Sequence, residues 1–231
     1  RKDGDSWVCL LNASKKPKPG TRLVFEGAGI GDALMAEVEG AMADEAGAGR
    51  VIASSRPADA ARADRIVLPG DGAFPACRAA LLAVPGLHDA LTEAVTIRAR
   101  PFFGICIGMQ MLATTGHEHR TTPGLGWIAG QVTRIAPRDP ALKIPHMGWN
   151  DLIVTGSHPV MEGVCTGDHA YFVHSYQMRV DDPADRLAYV DYAGDITAIV
   201  ARDNIVGTQF HPEKSQAAGL RLIANFLSWK P

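Results

Sequence analysis

Short apolar runs in this chain pass repeatedly into a glycine-bearing turn and then into a helical pattern, and this alternation constrains the fold more than any other feature. Ile66-Val67-Leu68 enters Pro69-Gly70-Asp71-Gly72 and is followed by helical patterns over 75–83 and 86–98. Phe102-Phe103-Gly104-Ile105 enters Cys106-Ile107-Gly108 and a helical pattern around Met109 to Ala113. Upstream, Leu23-Val24-Phe25, the turn Gly27 to Gly31 and an Ala/Glu/Met-rich helix over 32–46 form a similar unit, with Val51-Ile52-Ala53 as a further strand. Strand–helix alternation of this kind predicts α/β architecture, with a parallel sheet covered on both faces.

The second half changes character. Segments 127–135, 151–155, 170–180, 187–192, 196–201 and 205–210 read as strands with short turns, which adds antiparallel pairing to the mostly parallel sheet. A helix over 216–228 places Leu220, Ile223 and Leu227 on one face. Residues 1–20 are poorly patterned and are expected to stand apart as a tail, with one domain over 21–231.

Bulk properties narrow the function classes. The 231 residues suit one α/β domain, and a net charge of −2 offers nothing to nucleic acid or an anionic membrane. The basic run at Lys15, Lys16 and Lys18 is broken by Pro17 and Pro19 and reads as solvated. The apolar run Trp7 to Leu11 is too short to span a bilayer and lacks the features of a secretory signal. Four cysteines, at 9, 77, 106 and 165, include no Cys-x-x-Cys pair, which suits a reducing, cytoplasmic setting. His117 and His119 have no partners at metal-ligand spacing, so neither metal nor cofactor is expected.

Two short motifs carry the chemistry. Gly104-Ile105-Cys106-Ile107-Gly108 has the form Gly-x-nucleophile-x-Gly at a strand-to-helix turn. A tight turn needs small neighbours on both sides of the nucleophile, and the N–H groups that follow can favour a thiolate and hold an oxyanion. A buried structural cysteine is the plainer reading of the pentapeptide alone. His211-Pro212-Glu213 follows a strand end and offers a base with an orienting carboxylate, although a charged surface turn has the same composition. Both motifs fall at the carboxyl ends of strands, where a parallel sheet collects its functional groups. Pro69-Gly70-Asp71-Gly72 falls there too, either as a simple turn or as a second oxyanion donor. Cys77, within an alanine-rich helix, reads as core, and Cys165 as a turn residue.

Taken together, 104–110 (Gly-Ile-Cys-Ile-Gly-Met-Gln), 68–74 (Leu-Pro-Gly-Asp-Gly-Ala-Phe) and 211–215 (His-Pro-Glu-Lys-Ser) resemble the class I, triad-type glutamine amidotransferases. Within that group, 143–150 (Lys-Ile-Pro-His-Met-Gly-Trp-Asn), Gly124 to Ile128 and Tyr171 to Tyr176 are similar to the glutaminase subunits of imidazole glycerol phosphate synthase. The resemblance covers roughly residues 50–231. It implies a flavodoxin-like glutamine amidotransferase fold and hydrolysis of glutamine through a cysteinyl thioester. Carried over motif by motif, Cys106, His211 and Glu213 are the triad, with Ile107, Gly70, Asp71 and Gly72 at the oxyanion site. Gln110, Ser175 and Tyr176 hold glutamine. Pro145, His146, Met147 and Trp149 face the partner, a (β/α)₈ cyclase that consumes the ammonia as the other half of a heterodimer.

The front end departs from that family, which opens on Asp-Tyr-Gly-x-Gly-Asn where this chain has Phe25-Glu26-Gly27-Ala28-Gly29-Ile30. Asp71 stands where valine is more common. Two other readings stay open at this point: a glutaminase serving a different synthase, against which 143–150 argues, and an inactive partner-binding subunit, against which the intact Cys106, His211 and Glu213 argue.

Overall fold

Phe102 and Phe103 point to opposite faces of one strand, and both find cover. Phe102 meets Trp127 edge-on and Phe103 meets Phe226, each with 5.1 Å between ring centroids. Successive strand residues alternate sides, so a strand covered both ways belongs to the middle of a layered α/β fold. The structure, a computed structural model, describes residues 6–10 and 50–231.

The first half supplies β1 (Ser6–Leu10), β2 (Arg50–Ser54), α1 (Pro57–Arg62), β3 (Arg65–Gly70) and α2 (Phe74–Ala83). It continues with α3 (Leu87–Thr92), extended by a π-helical turn over Glu93–Ile97, then β4 (Phe102–Cys106) and the single turn α4 (Ile107–Gln110). The second half adds β5 (Thr115–Gly116), β6 (Thr122–Pro123), β7 (Gly130–Arg134), β8 (His146–Asp151) and β9 (Ile153–Val154). It then runs through β10 (His169–His174), β11 (Tyr176–Val180), β12 (Arg186–Asp191), β13 (Asp195–Arg202), β14 (Ile205–Thr208) and α5 (Gln216–Ser228).

The main sheet has the order β2-β1-β3-β4-β14-β13-β12-β9. From β2 to β14 neighbours pair in parallel, and from β14 to β9 they pair antiparallel. This is the expected flavodoxin-like, mostly parallel sheet with antiparallel additions. Central strands β3 and β4 are buried at every position, as strands with cover on both faces must be. Arg65, buried in β3, donates from Nε to the carbonyl of Phe226 and from Nη2 to that of Trp229. It thereby satisfies carbonyls at the end of α5 and ties that helix to the sheet.

Ser6–Leu10 corrects the expectation that residues 1–20 stand apart as a tail. β1 lies between β2 and β3, with Trp7 opposite both Val51 and Arg65. Five residues alone carry too little periodicity to declare a strand; the neighbouring strands supply the backbone partners. The expected strand at 23–25, turn at 27–31, helix at 32–46 and boundary at 20/21 lie outside the described residues.

Smaller differences have local causes. The segment 170–180 is two strands that break at Ser175, β8 starts earlier than the expected 151, and the helix expected at 109–113 is the four residues of α4. In α5 the buried stripe is Gly219, Leu222, Ile223, Phe226 and Leu227, while Leu220 is exposed. Spacing alone fits more than one apolar stripe, and packing against the sheet selects this one. No single described helix is long and apolar enough to cross a membrane.

Candidate active site

The carboxyl ends of the adjacent strands β3, β4 and β14 meet at Cys106. Cys106 takes φ 55° and ψ −110°, a backbone region costly for a residue with a side chain and found where a turn is held by its surroundings. What holds it is close packing. A Cβ on Gly108 would lie 1.6 Å from the carbonyl oxygen of Leu68, and one on Gly104 would lie 2.6 Å from that of Gly108. Only glycine permits the turn to sit against β3 this tightly. Gly70 pairs with Cys106 across the ladder, and a Cβ there would come within 3.3 Å of the Ile107 Cβ. The segment Gly70 to Gly72 thus starts beside Ile107, where a second oxyanion donor is wanted. Because α4 is one turn long, the electrostatic help available to the sulfur comes from the N–H groups of that turn, not from a long helix dipole.

His211 follows β14 and lies beside Cys106, which with Glu213 favours its charged form. Its Nδ1 lies 2.9 Å from Glu213 Oε1, so the imidazole is held between sulfur and carboxylate. Ser215 locks this loop: its Oγ donates to the His211 carbonyl at 2.7 Å and accepts from the Tyr171 N–H at 3.0 Å. The His211 N–H in turn donates to the Tyr171 carbonyl at 3.1 Å. Burial alone would push His211 towards the neutral form. Hydrogen bonds and opposite charge from Cys106 and Glu213 outweigh it and raise the imidazole to about 10. The site is closed in this state, with Cys106 only 5% exposed.

Gln110 reaches Cys106 only through Gln209. Its Nε2 donates to the Tyr176 carbonyl at 3.0 Å and to Gln209 Oε1 at 2.9 Å, and its Oε1 is buried with no partner among the described residues. Gln209, which sequence reading passed over, lies fully buried with Nε2 3.7 Å from Cys106 Sγ. The only sequence signal was an amide inside an otherwise apolar strand end. The Ser175 carbonyl accepts from the Ile135 N–H, and the Tyr176 carbonyl also accepts from His174 Nδ1 at 2.8 Å.

Strands β8 and β10 pair as a separate two-stranded sheet. Its outer face carries Met147, 62% exposed, beside Val173, and Trp149, 50% exposed, edge-on to Tyr171. Pro145 is exposed at the entrance to β8. His146, expected on that surface with them, is 2% exposed and turned inward. Strand alternation is the reason: if Met147 and Trp149 face out, His146 cannot. Its Nδ1 meets His174 Nε2 at 3.0 Å and its Nε2 meets Asn150 Nδ2 at 3.2 Å.

Among the described residues, no group of three or more His, Cys, Asp or Glu side chains could hold a metal ion. Two surface grooves, of about 510 and 470 Å³, lie around Arg138, Ala193 and Asp195; Cys106, His211 and Glu213 line neither.

Comparison with known proteins places this geometry. Residues 51–229 match the family model for class-I glutamine amidotransferase. The chain is 71% identical over 190 residues to an imidazole glycerol phosphate synthase subunit HisH from Cereibacter sphaeroides, covering 82% of this chain and 90% of the relative. The subunit of the same name from Ruegeria pomeroyi is 62% identical over 190 residues, with the same coverage. A crystal structure of a glutamine amidotransferase shares the fold at TM-score 0.65 and 18% identity, covering 96% of this chain and 99% of that one. A glutamine amidotransferase from Thermotoga maritima does so at TM-score 0.54 and 15% identity, covering 90% and 76%.

Proposed function

The chain belongs to the class I glutamine amidotransferase family, and from that premise we propose that it is the glutamine-hydrolysing subunit of an imidazole glycerol phosphate synthase, supplying ammonia for histidine biosynthesis. The observation that carries the chemistry is Cys106 on its strained turn, beside a His211 whose Nδ1 is held by Glu213. The relatives, matched over 90% of their length, carry the choice of synthase.

The reaction follows from the contacts. Cys106 Sγ attacks the carboxamide carbon of glutamine, and the oxyanion develops between the N–H of Ile107 and those of Gly70 to Gly72. As the C–N bond breaks, His211 gives its proton to the departing nitrogen and ammonia leaves. The neutral imidazole then takes a proton from water, which attacks the thioester. Glutamate is released, the C–S bond breaks, and the sulfur and His211 return to their starting states. Glu213 keeps the ring oriented and steadies its positive form throughout. The carbonyls of Ser175 and Tyr176 are engaged within the protein, which leaves the unpartnered Oε1 of Gln110 as the open acceptor for a donor group of glutamine.

The partner is a (β/α)₈ cyclase that takes the ammonia within a heterodimer, and Pro145, Met147 and Trp149 face it. Exposed methionine and tryptophan side by side suit a partner surface better than water. Ammonia released to water at neutral pH becomes ammonium, which is no nucleophile, so a dry path to the second site protects the product. The closed state of Cys106 fits an enzyme that waits for its partner. Free thiols at Cys106 and Cys165 suit the cytoplasm. The test is glutamate release by the chain alone, with the cyclase, and with the cyclase holding its nucleotide ligand. Rates should rise at each step, most at the last; equal rates in all three would defeat the coupling, and no glutamate in any of them would defeat the glutaminase.

A further inference from the structure

The amide of Gln209 has only one orientation that its neighbours accept. The starting point is the backbone carbonyl of Tyr176, which can accept hydrogen bonds and never donate. Gln110 stands 3.0 Å from it and must turn its NH₂ group that way. That same NH₂ group lies 2.9 Å from Gln209, so Gln209 must present its oxygen to Gln110. The other end of the Gln209 amide, its NH₂, is then left facing Cys106 Sγ at 3.7 Å. Reversing Gln209 would set two donors against each other and an oxygen lone pair against the sulfur.

The anchor is itself secured from behind. His174 Nδ1–H donates to the same Tyr176 carbonyl at 2.8 Å, so in its neutral form Nε2 accepts from His146 Nδ1–H at 3.0 Å. His146 Nε2 is then free to accept from Asn150 Nδ2 at 3.2 Å. Asn150, His146 and His174 donate in sequence towards the Tyr176 carbonyl, Gln110 donates both to that carbonyl and to Gln209, and Gln110, Gln209, His146 and His174 are all buried. A buried amide network with its partners fixed is rigid, because any rotation leaves a polar group unpaired.

We propose that Gln209 is a working part of the nucleophile, its side-chain N–H donating to Cys106 Sγ and favouring the charged sulfur, with Gln110 as the positioning residue that sets its direction. This deepens the glutaminase reading and rests on it for the use to which the sulfur is put. The titratable groups beside Cys106 are His211 and, behind it, Glu213. Gln209 approaches as an uncharged donor, so its contact with the sulfur does not depend on the protonation state of His211.

The experiment follows alkylation of Cys106 by iodoacetamide against pH in the full chain, with the Cys106 peptide quantified by mass spectrometry to separate it from the other thiols. Gln209→Met keeps the length and removes the donor. The pH midpoint of alkylation should rise by about one unit, as expected for losing a hydrogen bond to a charged group. A variant that melts earlier yet keeps the wild-type midpoint would reduce Gln209 to packing and overturn the proposal. If Gln209→Met does not fold, Gln209→Leu carries the test. It removes the donor without adding a charge beside the sulfur; a raised midpoint supports the proposal and an unmoved one overturns it. Gln110→Met should move the midpoint in the same direction by less, and a shift the other way would overturn its positioning role. Glutamine is absent from these measurements, so a midpoint shift in a chain that never releases glutamate would sink the glutaminase reading and leave this one standing.

Discussion

His211 and the pair His146 and His174 are all buried, yet they are held in opposite charge states. His211 faces a sulfur and a carboxylate and is raised to about 10. Burial lowers His146 to about 4, and burial, together with the nearby His146 and His211, lowers His174 to about 3 despite its bond to the Tyr176 carbonyl. Around the second pair stand a carbonyl, an amide and each other, with no anion to offset the lost hydration. Burial sets the cost of charge, and the neighbours decide whether it is met. One region thus holds a proton on a buried imidazole. The other excludes protons and so keeps a one-way hydrogen-bond chain in register beneath the exposed strand pair.

The comparison breaks hardest at the sulfur. Cys106→Ala should abolish glutamate release in the presence of the cyclase and leave the fold intact, while Cys77→Ala and Cys165→Ala retain it. His211→Ala should cost turnover roughly 10²–10⁴-fold, the usual contribution of a general acid–base group. Glu213→Ala should cost less, because it acts through His211. A Glu213 variant more damaged than the His211 variant would reverse these two roles.

In the second region the expected loss is stability. His174→Phe removes the acceptor of His146 Nδ1–H and one donor to Tyr176, leaving buried polar groups unpaired, which costs about 1–3 kcal/mol in a denaturant melt. An unchanged melt would mean that water reaches the gap.

Titration sharpens the contrast, since the two regions carry opposite signs. His146 and His174 have lowered values, so between pH 6.5 and about 4 the unfolded chain binds protons that the folded chain refuses. Their contribution is complete above pH 6.5 and lost as pH falls, by up to about 1.4 kcal/mol per unit for each histidine. His211, raised, holds a proton in the folded chain between pH 6.5 and about 10 that the unfolded chain gives up. Its contribution is complete below pH 6.5 and lost as pH rises. Urea midpoints across pH should therefore flatten on the acid side in His174→Phe and on the alkaline side in His211→Ala; parallel profiles for both variants would show that neither region titrates as described.

The smallest expected effect on stability lies on the outer face. Trp149→Ala should move the melt by no more than about 0.5 kcal/mol, as exposed substitutions usually do. The same change should weaken cyclase binding, read by titration calorimetry. A large loss of stability with unchanged binding would make Trp149 part of this chain's own packing.

What the sequence determined by itself is the set of features governed by near neighbours along the chain. Gly104 precedes Cys106 because atoms of Gly108 and Met109, a few residues on, forbid a Cβ there. His211 and Glu213 are two residues apart, so their hydrogen bond needs little beyond the turn between them. Strand–helix alternation was enough for a parallel sheet, since it depends on the order of elements and not on exact contacts. The tertiary structure decided what depends on groups far away. Gln209 meets Cys106 across 103 positions and Gln110 across 99, and His146 meets His174 across 28. No local pattern encodes such meetings, so the donor at the sulfur and the neutral histidines were invisible until the strands were laid side by side. The same holds for β1, whose partners β2 and β3 begin at Arg50 and Arg65, and for His146, which the pleat of β8 turned inward once its neighbours faced out. Short-range sterics are written into adjacent residues, whereas charge state and hydrogen-bond direction belong to whichever groups the fold brings within a few ångströms.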